Sequence, residues 1–130
     1  MSTNYAVLVE HFAERHYIKN FEKKYKSAWC ITWSAVVEEL KRLDSLVNTS
    51  VAEKICGNSV VEIYKTEFRV AGTRESRKAS GNRCIVALCS DTQTIHVLLV
   101  YHKNDIGNGN ETAKWKSIIL ENYPEYKQIL

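Results

Sequence analysis

Between Lys65 and Arg83 the chain reads KTEFRVAGTRESRKASGNR, with Lys65, Arg69, Arg74, Arg77, Lys78 and Arg83 opposed only by Glu67 and Glu75. This local balance of +4 exceeds the net +3 of the whole chain, so the remainder is slightly acidic and the basic character is localised. A strand-like run enters the stretch and another leaves it, which fixes these charges against a sheet. Fixed cations beside a sheet suit a polyanion, because each phosphate they contact releases condensed counterions. His102 is the one histidine at a strand end with basic neighbours. An imidazole suits acid or base work near neutral pH, and nearby cations favour its neutral, basic form. By strand parity Tyr101 and Lys103 share the face opposite His102, while His96 falls on the same face as His102 and reads as packing or surface. His11 and His16 sit at the first helix and carry no motif.

The elements that must position these residues follow from periodicity. Tyr5 to Val9 is a short β-prone run. From about Phe12 to Tyr25, Tyr17, Ile18, Phe21 and Tyr25 recur at helical spacing, with Lys19, Lys23, Lys24 and Lys26 among the polar positions. Thr32 or Ser34 opens a second helix whose stripe is Val36, Val37, Leu40, Leu43 and Val47. Breakers at Thr49-Ser50 and Gly57-Asn58 enclose a short helical turn holding Val51, Ala52 and Ile55. Beyond Asn58 the period changes. Val60 to Val70 alternates, with Tyr64, Thr66, Phe68 and Val70 on one face and Ile63, Lys65, Glu67 and Arg69 on the other. Ala71 to Asn82 reads as a loop, and Arg83 to Cys89 is nearly continuous apolar, as a central strand would be. Asp91-Thr92-Gln93 is a hairpin-length connection to Thr94–Tyr101. Asn108-Gly109-Asn110 precedes a closing helix, Glu111 to Asn122, that stops at Tyr123-Pro124. The order β-α-α-β-β-β-α predicts an α+β fold, a small mainly antiparallel sheet with helices on one face.

Composition narrows the class. A chain of 130 residues is expected to be a single domain spanning 1–130, large enough for a core without disulfides or metal. No run approaches the roughly 18 apolar residues of a membrane span. The N-terminal MSTNYAVLVEHF has no basic segment before its apolar run, so a secretory signal is not expected and a cytoplasmic location is. Cys30, Cys56, Cys84 and Cys89 lack the paired short spacing of a zinc site and read as small apolar residues kept reduced. Trp29, Trp33 and Trp115 are expected to pin helices to each other or to the sheet.

The order of elements, with Ser80-Gly81-Asn82-Arg83 opening one strand and Tyr101-His102-Lys103 closing the last, resembles the RelE/ParE superfamily of bacterial toxins, especially the RelE-type messenger-RNA endonucleases. The topology resemblance covers most of the chain; the motif resemblance covers Lys65 to Asp105. It implies a toxin of a toxin–antitoxin pair that cuts messenger RNA on the ribosome with no metal or cofactor. In that chemistry a 2′-hydroxyl attacks the adjacent phosphate and leaves a cyclic phosphate. The cognate antitoxin would cover the basic face.

Metal-free cleavage needs a proton acceptor for the 2′-hydroxyl, charge stabilisation at the phosphate and a proton donor to the leaving oxygen. Arg83, which aligns with the family's arginine after the glycine, suits the second task because its fork is always charged. His102 is the candidate base. Lys103 would bind phosphate or donate a proton. Lys65 and Arg69 fit phosphate contacts, and Glu67 is either a base or the ion-pair partner of Arg69 or Arg83. Arg74, Arg77 and Lys78 form a loop able to close over RNA. Tyr101 either stacks on a base or plugs the core. The lysines of the first helix are a solvated face or a contact to ribosomal RNA. Two other readings stay open on the same scaffold: a ParE-like inhibitor of DNA gyrase, and an RNA-binding module without catalysis.

Overall fold

The computed structural model describes residues 4–47, 49–107 and 109–130. Asn108, read above in the stretch that precedes the closing helix, and the first three residues of MSTNYAVLVEHF lie outside them. Five strands form one mixed sheet in the order β1-β5-β4-β3-β2: β1 Ala6–Val9, β2 Ala52–Gly57, β3 Val61–Phe68, β4 Asn82–Cys89 and β5 Thr94–His102. β1 runs parallel to β5, and the remaining pairs are antiparallel. The α+β class holds.

The sheet has one strand more than expected. The segment read as a helical turn at Val51 to Ile55 is the edge strand β2. Glu53 and Lys54 favour a helix locally, but the outer edge of β3 presents unpaired backbone groups that a returning strand satisfies. The turn is closed by Asn58, whose Oδ1 accepts the Val60 and Val61 N–H groups at 2.9 Å each. Lys54 pairs with Glu62 at 2.6 Å and Lys65 with Glu53 at 3.6 Å across the hairpin.

Helices cover both sheet faces, not one. After β1 comes the short α1 (His11–Ala13), whose Phe12 packs with the second-face core, and on the first face lie α2 (Lys19–Tyr25), α3 (Ser27–Leu40) and α4 (Leu43–Leu46). Ile18, Phe21, Trp29, Leu40 and Leu43 pack there on Tyr64, Phe68, Cys84, Val86, Val97 and Val100. On the second face α6 (Glu111–Asn122) sets Trp115 and Ile119 against Ile63, Ile85, Leu98, Leu99 and Tyr101. Trp29 and Trp115 are core residues, as expected, and Trp33 is half-buried beside them. The interval read as a loop after β3 holds a further turn, α5 (Arg77–Ser80), capped by the Ser76 hydroxyl.

α3 begins at Ser27, earlier than Thr32 or Ser34. The chain reverses at Lys26 (φ 52°) and re-enters a helix at once. Thr32 is no cap: inside α3 its hydroxyl donates to the Ala28 carbonyl and accepts from the Ala71 N–H, both at 2.8 Å. That second bond ties α3 to the chain leaving β3.

Two local irregularities set the phase of the site. Between α1 and α2, Glu14–Ile18 is π-helical. The extra residue turns Tyr17 toward the second-face core and Ile18 toward the first, so this segment serves both. In β5 the register steps from Leu99 opposite Ile85 to Val97 opposite Val86, which leaves Leu98 as a bulge. Leu98 and Leu99 both join the second-face core, and every residue beyond them faces the side opposite to that of an unbroken strand. The Leu98 carbonyl accepts the buried Tyr123 hydroxyl at 2.8 Å. Tyr123→Phe, which removes that donor and little else, should lower stability by about 1–3 kcal/mol in urea unfolding with an unchanged m-value. A loss near zero would show that the bulge does not depend on this bond.

Candidate functional site

β4 begins where three short-range constraints meet. The Ser80 hydroxyl donates to the Phe68 carbonyl at 2.6 Å and accepts from the Asn82 N–H at 3.1 Å, stapling the end of β3 to the start of β4. Gly81 then takes a left-handed conformation (φ 78°) that closes α5. Its carbonyl accepts the Lys103 N–H at 2.8 Å, so the start of β4 and the end of β5 are locked side by side. Asn82 lies opposite His102, and Arg83 opposite both Tyr101 and Glu67.

Alternation then separates the two residues expected to work together. Arg83 points to the second face and is 7% exposed. Its Nη1 lies 3.1 Å from Glu67 Oε2 and its Nε 3.5 Å from Glu111 Oε2. Its other contacts are long hydrogen bonds to the Asn82 and Lys78 carbonyls at 3.3 and 3.4 Å. Both contacts are close enough to count as ion pairs, yet neither Arg83 Nε nor Glu67 Oε2 makes an aligned hydrogen bond. The attraction there is Coulombic rather than directional. Glu111 also accepts the Tyr101 hydroxyl at 2.7 Å. These residues join β3, β4, β5 and α6 into one polar network around the buried Arg83. Removing one member of such a group typically costs about 3–5 kcal/mol, because a buried charge is left unpaired.

Arg83 therefore anchors the fold and has no open side for a phosphate. Glu67 is its partner, one of the two roles expected of it. Tyr101 is 1% exposed and plugs the core, so it is no stacking surface for a base.

His102 faces the other way. Its Nδ1 accepts the Asn104 N–H at 3.1 Å, which places the ring proton of the neutral form on Nε2. In that tautomer the ring presents Nε2–H as a donor. Nε2 looks onto Gly81: a Cβ at that glycine would stand only 2.7 Å away. His96 lies on the opposite face to His102, because the Leu98 bulge intervenes. It is held by Glu10 at 2.8 Å and Thr94 at 3.2 Å.

Three adjoining hollows share the His102 ring as a wall. One, of about 380 Å³, lies toward the first helix and is lined by Phe12, His16, Tyr17, Asn20 and Asp105. A second, of about 310 Å³, includes Lys24, Tyr25, Ser80, Asn82 and Lys103, and a small one joins Asn20 and Phe21 to Asn82 and Asp105. Asn82 is 4% exposed and its Oδ1 has no hydrogen-bond partner. A larger groove of about 550 Å³ runs between α3 and the segment after β3, walled mainly by apolar residues and by Glu39, Arg69 and Arg77. The His102 cleft is smaller but gathers the proton-transfer and cationic groups, and on chemical grounds it is the candidate site.

The remaining expected residues scatter. Lys65 pairs with Glu53, and Arg77 is held by Glu39, with one bond of 2.9 Å. That carboxylate raises the Arg77 pKa further. Arg69, Arg74 and Lys78 are exposed and sit outside the hollows around His102. Of the cations singled out in the sequence, Lys103 and, from the first-helix run, Lys24 line the hollows around His102. His16 and Asn82 were not singled out as site candidates from the sequence, and Lys24 was named only within the lysine run of the first helix. Cys84 is fully buried, which pushes its thiol up to about 12, whereas Cys30 is exposed. Among the described residues no group of three or more His, Cys, Asp or Glu could hold a metal ion, and no helix is long and apolar enough to cross a membrane. Compared with known proteins, the chain matches no family model, no curated protein and no solved structure.

Two outcomes follow from this geometry. Gly81→Ala places a methyl group against Nε2 and an L-residue at positive φ, so it should cost about 1–2 kcal/mol. It should also shift the His102 ring resonances in NMR; unchanged resonances would mean that the glycine does not shape the ring's position. The Tyr101 pKa is raised by burial first, then by its bond to Glu111 and that carboxylate's charge, with Arg83 opposing. The folded state keeps a phenol proton that the unfolded chain releases above its ordinary value of 10.0. This contribution is complete below that pH and is lost as pH rises beyond it. Tyr64 and Tyr126, pushed up to about 12 mainly by burial, add to the same loss. Tyr101→Phe should flatten the alkaline fall of the urea midpoint; an equal fall in both proteins would show that Tyr101 is not its source.

Proposed function

We propose that the chain is a RelE-like toxin component that cleaves messenger RNA without metal, with its centre in the His102 cleft and not at Arg83. The observation that carries this reading is one imidazole, its proton placed on Nε2, forming the common wall of adjoining hollows edged by Lys24 and Lys103. A phosphodiester crossing that wall would have a neighbouring nucleotide on either side. The Nε2–H and the two ammonium groups stabilise charge as it grows on the phosphate oxygens, and Lys103 supplies the proton for the departing 5′-oxygen. The exposed lysines of α2 and the exposed Arg69, Arg74 and Lys78 guide the strand by charge. By the same resemblance the substrate is messenger RNA on the ribosome, and the partner is an antitoxin that covers the cationic surface.

The involvement of Arg83 in ion pairs favours one alternative, a module of the same form that binds RNA without cutting it. Induced expression in bacteria with mapping of messenger-RNA 5′ ends separates the readings. The wild type should arrest growth and create new ends. His102→Gln, which leaves the Arg83 network alone, should reduce cleavage by about 100- to 10,000-fold. New ends that persist in His102→Gln would remove this cleft from the mechanism. Arrest without new ends would point to gyrase inhibition, and bound RNA without cleavage would establish the binding module.

A further inference from the structure

We propose that His16 is a second proton-transfer residue, facing His102 across the hollow they share and taking the proton from the attacking hydroxyl. The inference rests on the ribonuclease reading. With its Nδ1 accepting from Asn104, His102 presents a donor, so the cleft still needs an acceptor. Among the described residues the exposed His16 ring has no hydrogen-bond partner; it leans on Phe12 with 5.0 Å between ring centroids, and only its backbone carbonyl is used, by Asn20.

Its position is built by the fold. His16 sits in the middle of the π-helical stretch, which packs directly on β5. Single π turns and β-bulges concentrate where a side chain must be re-aimed at a working site. Here the π stretch turns His16 to the hollow from one side, and the Leu98 bulge turns His102 to it from the other. The ionisable groups around this space are Asp105 after β5, Tyr17 on the helix, Tyr101 and His102 on β5, and Lys24 beyond the ring in the adjoining hollow. Tyr101 is committed to Glu111. Burial raises the Tyr17 pKa, so its phenol stays protonated. Asp105 lies on the His102 side of the space.

The step balances without an outside reagent. His16 takes the 2′-hydroxyl proton as that oxygen bonds to phosphorus. The bond from phosphorus to the 5′-oxygen breaks, and that oxygen takes a proton from the Lys103 ammonium. The products are a 2′,3′-cyclic phosphate and a 5′-hydroxyl end, and water returns the proton from His16 to Lys103.

The test is the pH–rate profile for cleavage of a short RNA, free and on programmed ribosomes, by wild type, His16→Gln and His102→Gln. RNA affinity and circular dichroism are measured in parallel. The wild-type rate should rise with pH, as general-base catalysis requires. His16→Gln should lower the rate at least tenfold and abolish that rising limb while affinity is kept. His102→Gln should lower the rate and retain the limb. A rising limb that survives in His16→Gln overturns the role of His16 and leaves the ribonuclease reading standing. Absence of cleavage by wild type overturns the ribonuclease reading, and the proposal for His16 falls with it.

Discussion

One extra residue in β5 decides what each side of this sheet can do. Leu98 breaks the strict alternation of its strand, so Tyr101 turns to the core beneath α6 and His102 to the cleft beneath the first helices. In a regular strand these assignments would be exchanged, and an imidazole would sit where a buried phenol now closes the core. The bulge is held from outside its own strand. Its carbonyl takes the Tyr123 hydroxyl, and the Tyr123 ring stands edge-on to Phe12 at 5.8 Å between centroids. The C-terminal segment, the bulge and the helix that carries His16 thus form one packed unit.

That division keeps two kinds of polar chemistry apart. Glu67, Arg83, Tyr101 and Glu111 are committed to one another by charge and by the Tyr101–Glu111 hydrogen bond, an arrangement that links α6 to the sheet. Across the sheet, Asn82, His102, Lys24 and Lys103 are less committed, and Asn82 Oδ1 has no partner at all. Buried polar groups normally find partners. An arginine held by two carboxylates is settled structure, whereas a carboxamide oxygen with no donor beside a half-exposed histidine is an unfinished hydrogen-bond pattern. A ligand can finish it.

The sequence made the broad plan legible and hid the phase. The change of period near Asn58, the alternation in β3, the apolar run of β4 and the last helix could be read because burial acts on every residue of those elements. β2 could not, since an exposed edge strand carries no apolar pattern of its own and exists through its pairing with β3. Nor could the bulge: HVLLVY fits an unbroken strand equally well, and only packing against Trp115 and Tyr123 selects the extra residue. The π stretch is hidden for the same reason. Arg83 and His102, read together in the sequence, lie on opposite faces of the sheet. Strand parity set Tyr101 and His102 apart correctly but, blind to the bulge, put His96 on the face of His102. Charges read along a loop and two strand ends do not show which already have partners.

Charge counted along a chain is not charge available at a surface. Arg83, Arg77 and Lys65 supply half of the cations in the basic stretch, and each is spoken for by a carboxylate. A paired cation adds little field beyond its partner, and counterion release needs phosphate contacts with cations that are not already neutralised. The positive charge beside the cleft comes instead from Lys24, on a helix distant in sequence, and from Lys103, fixed by its own backbone bond to Gly81. The two ammonium groups thus come from elements far apart in sequence, and only the fold brings them to one hollow beside His102.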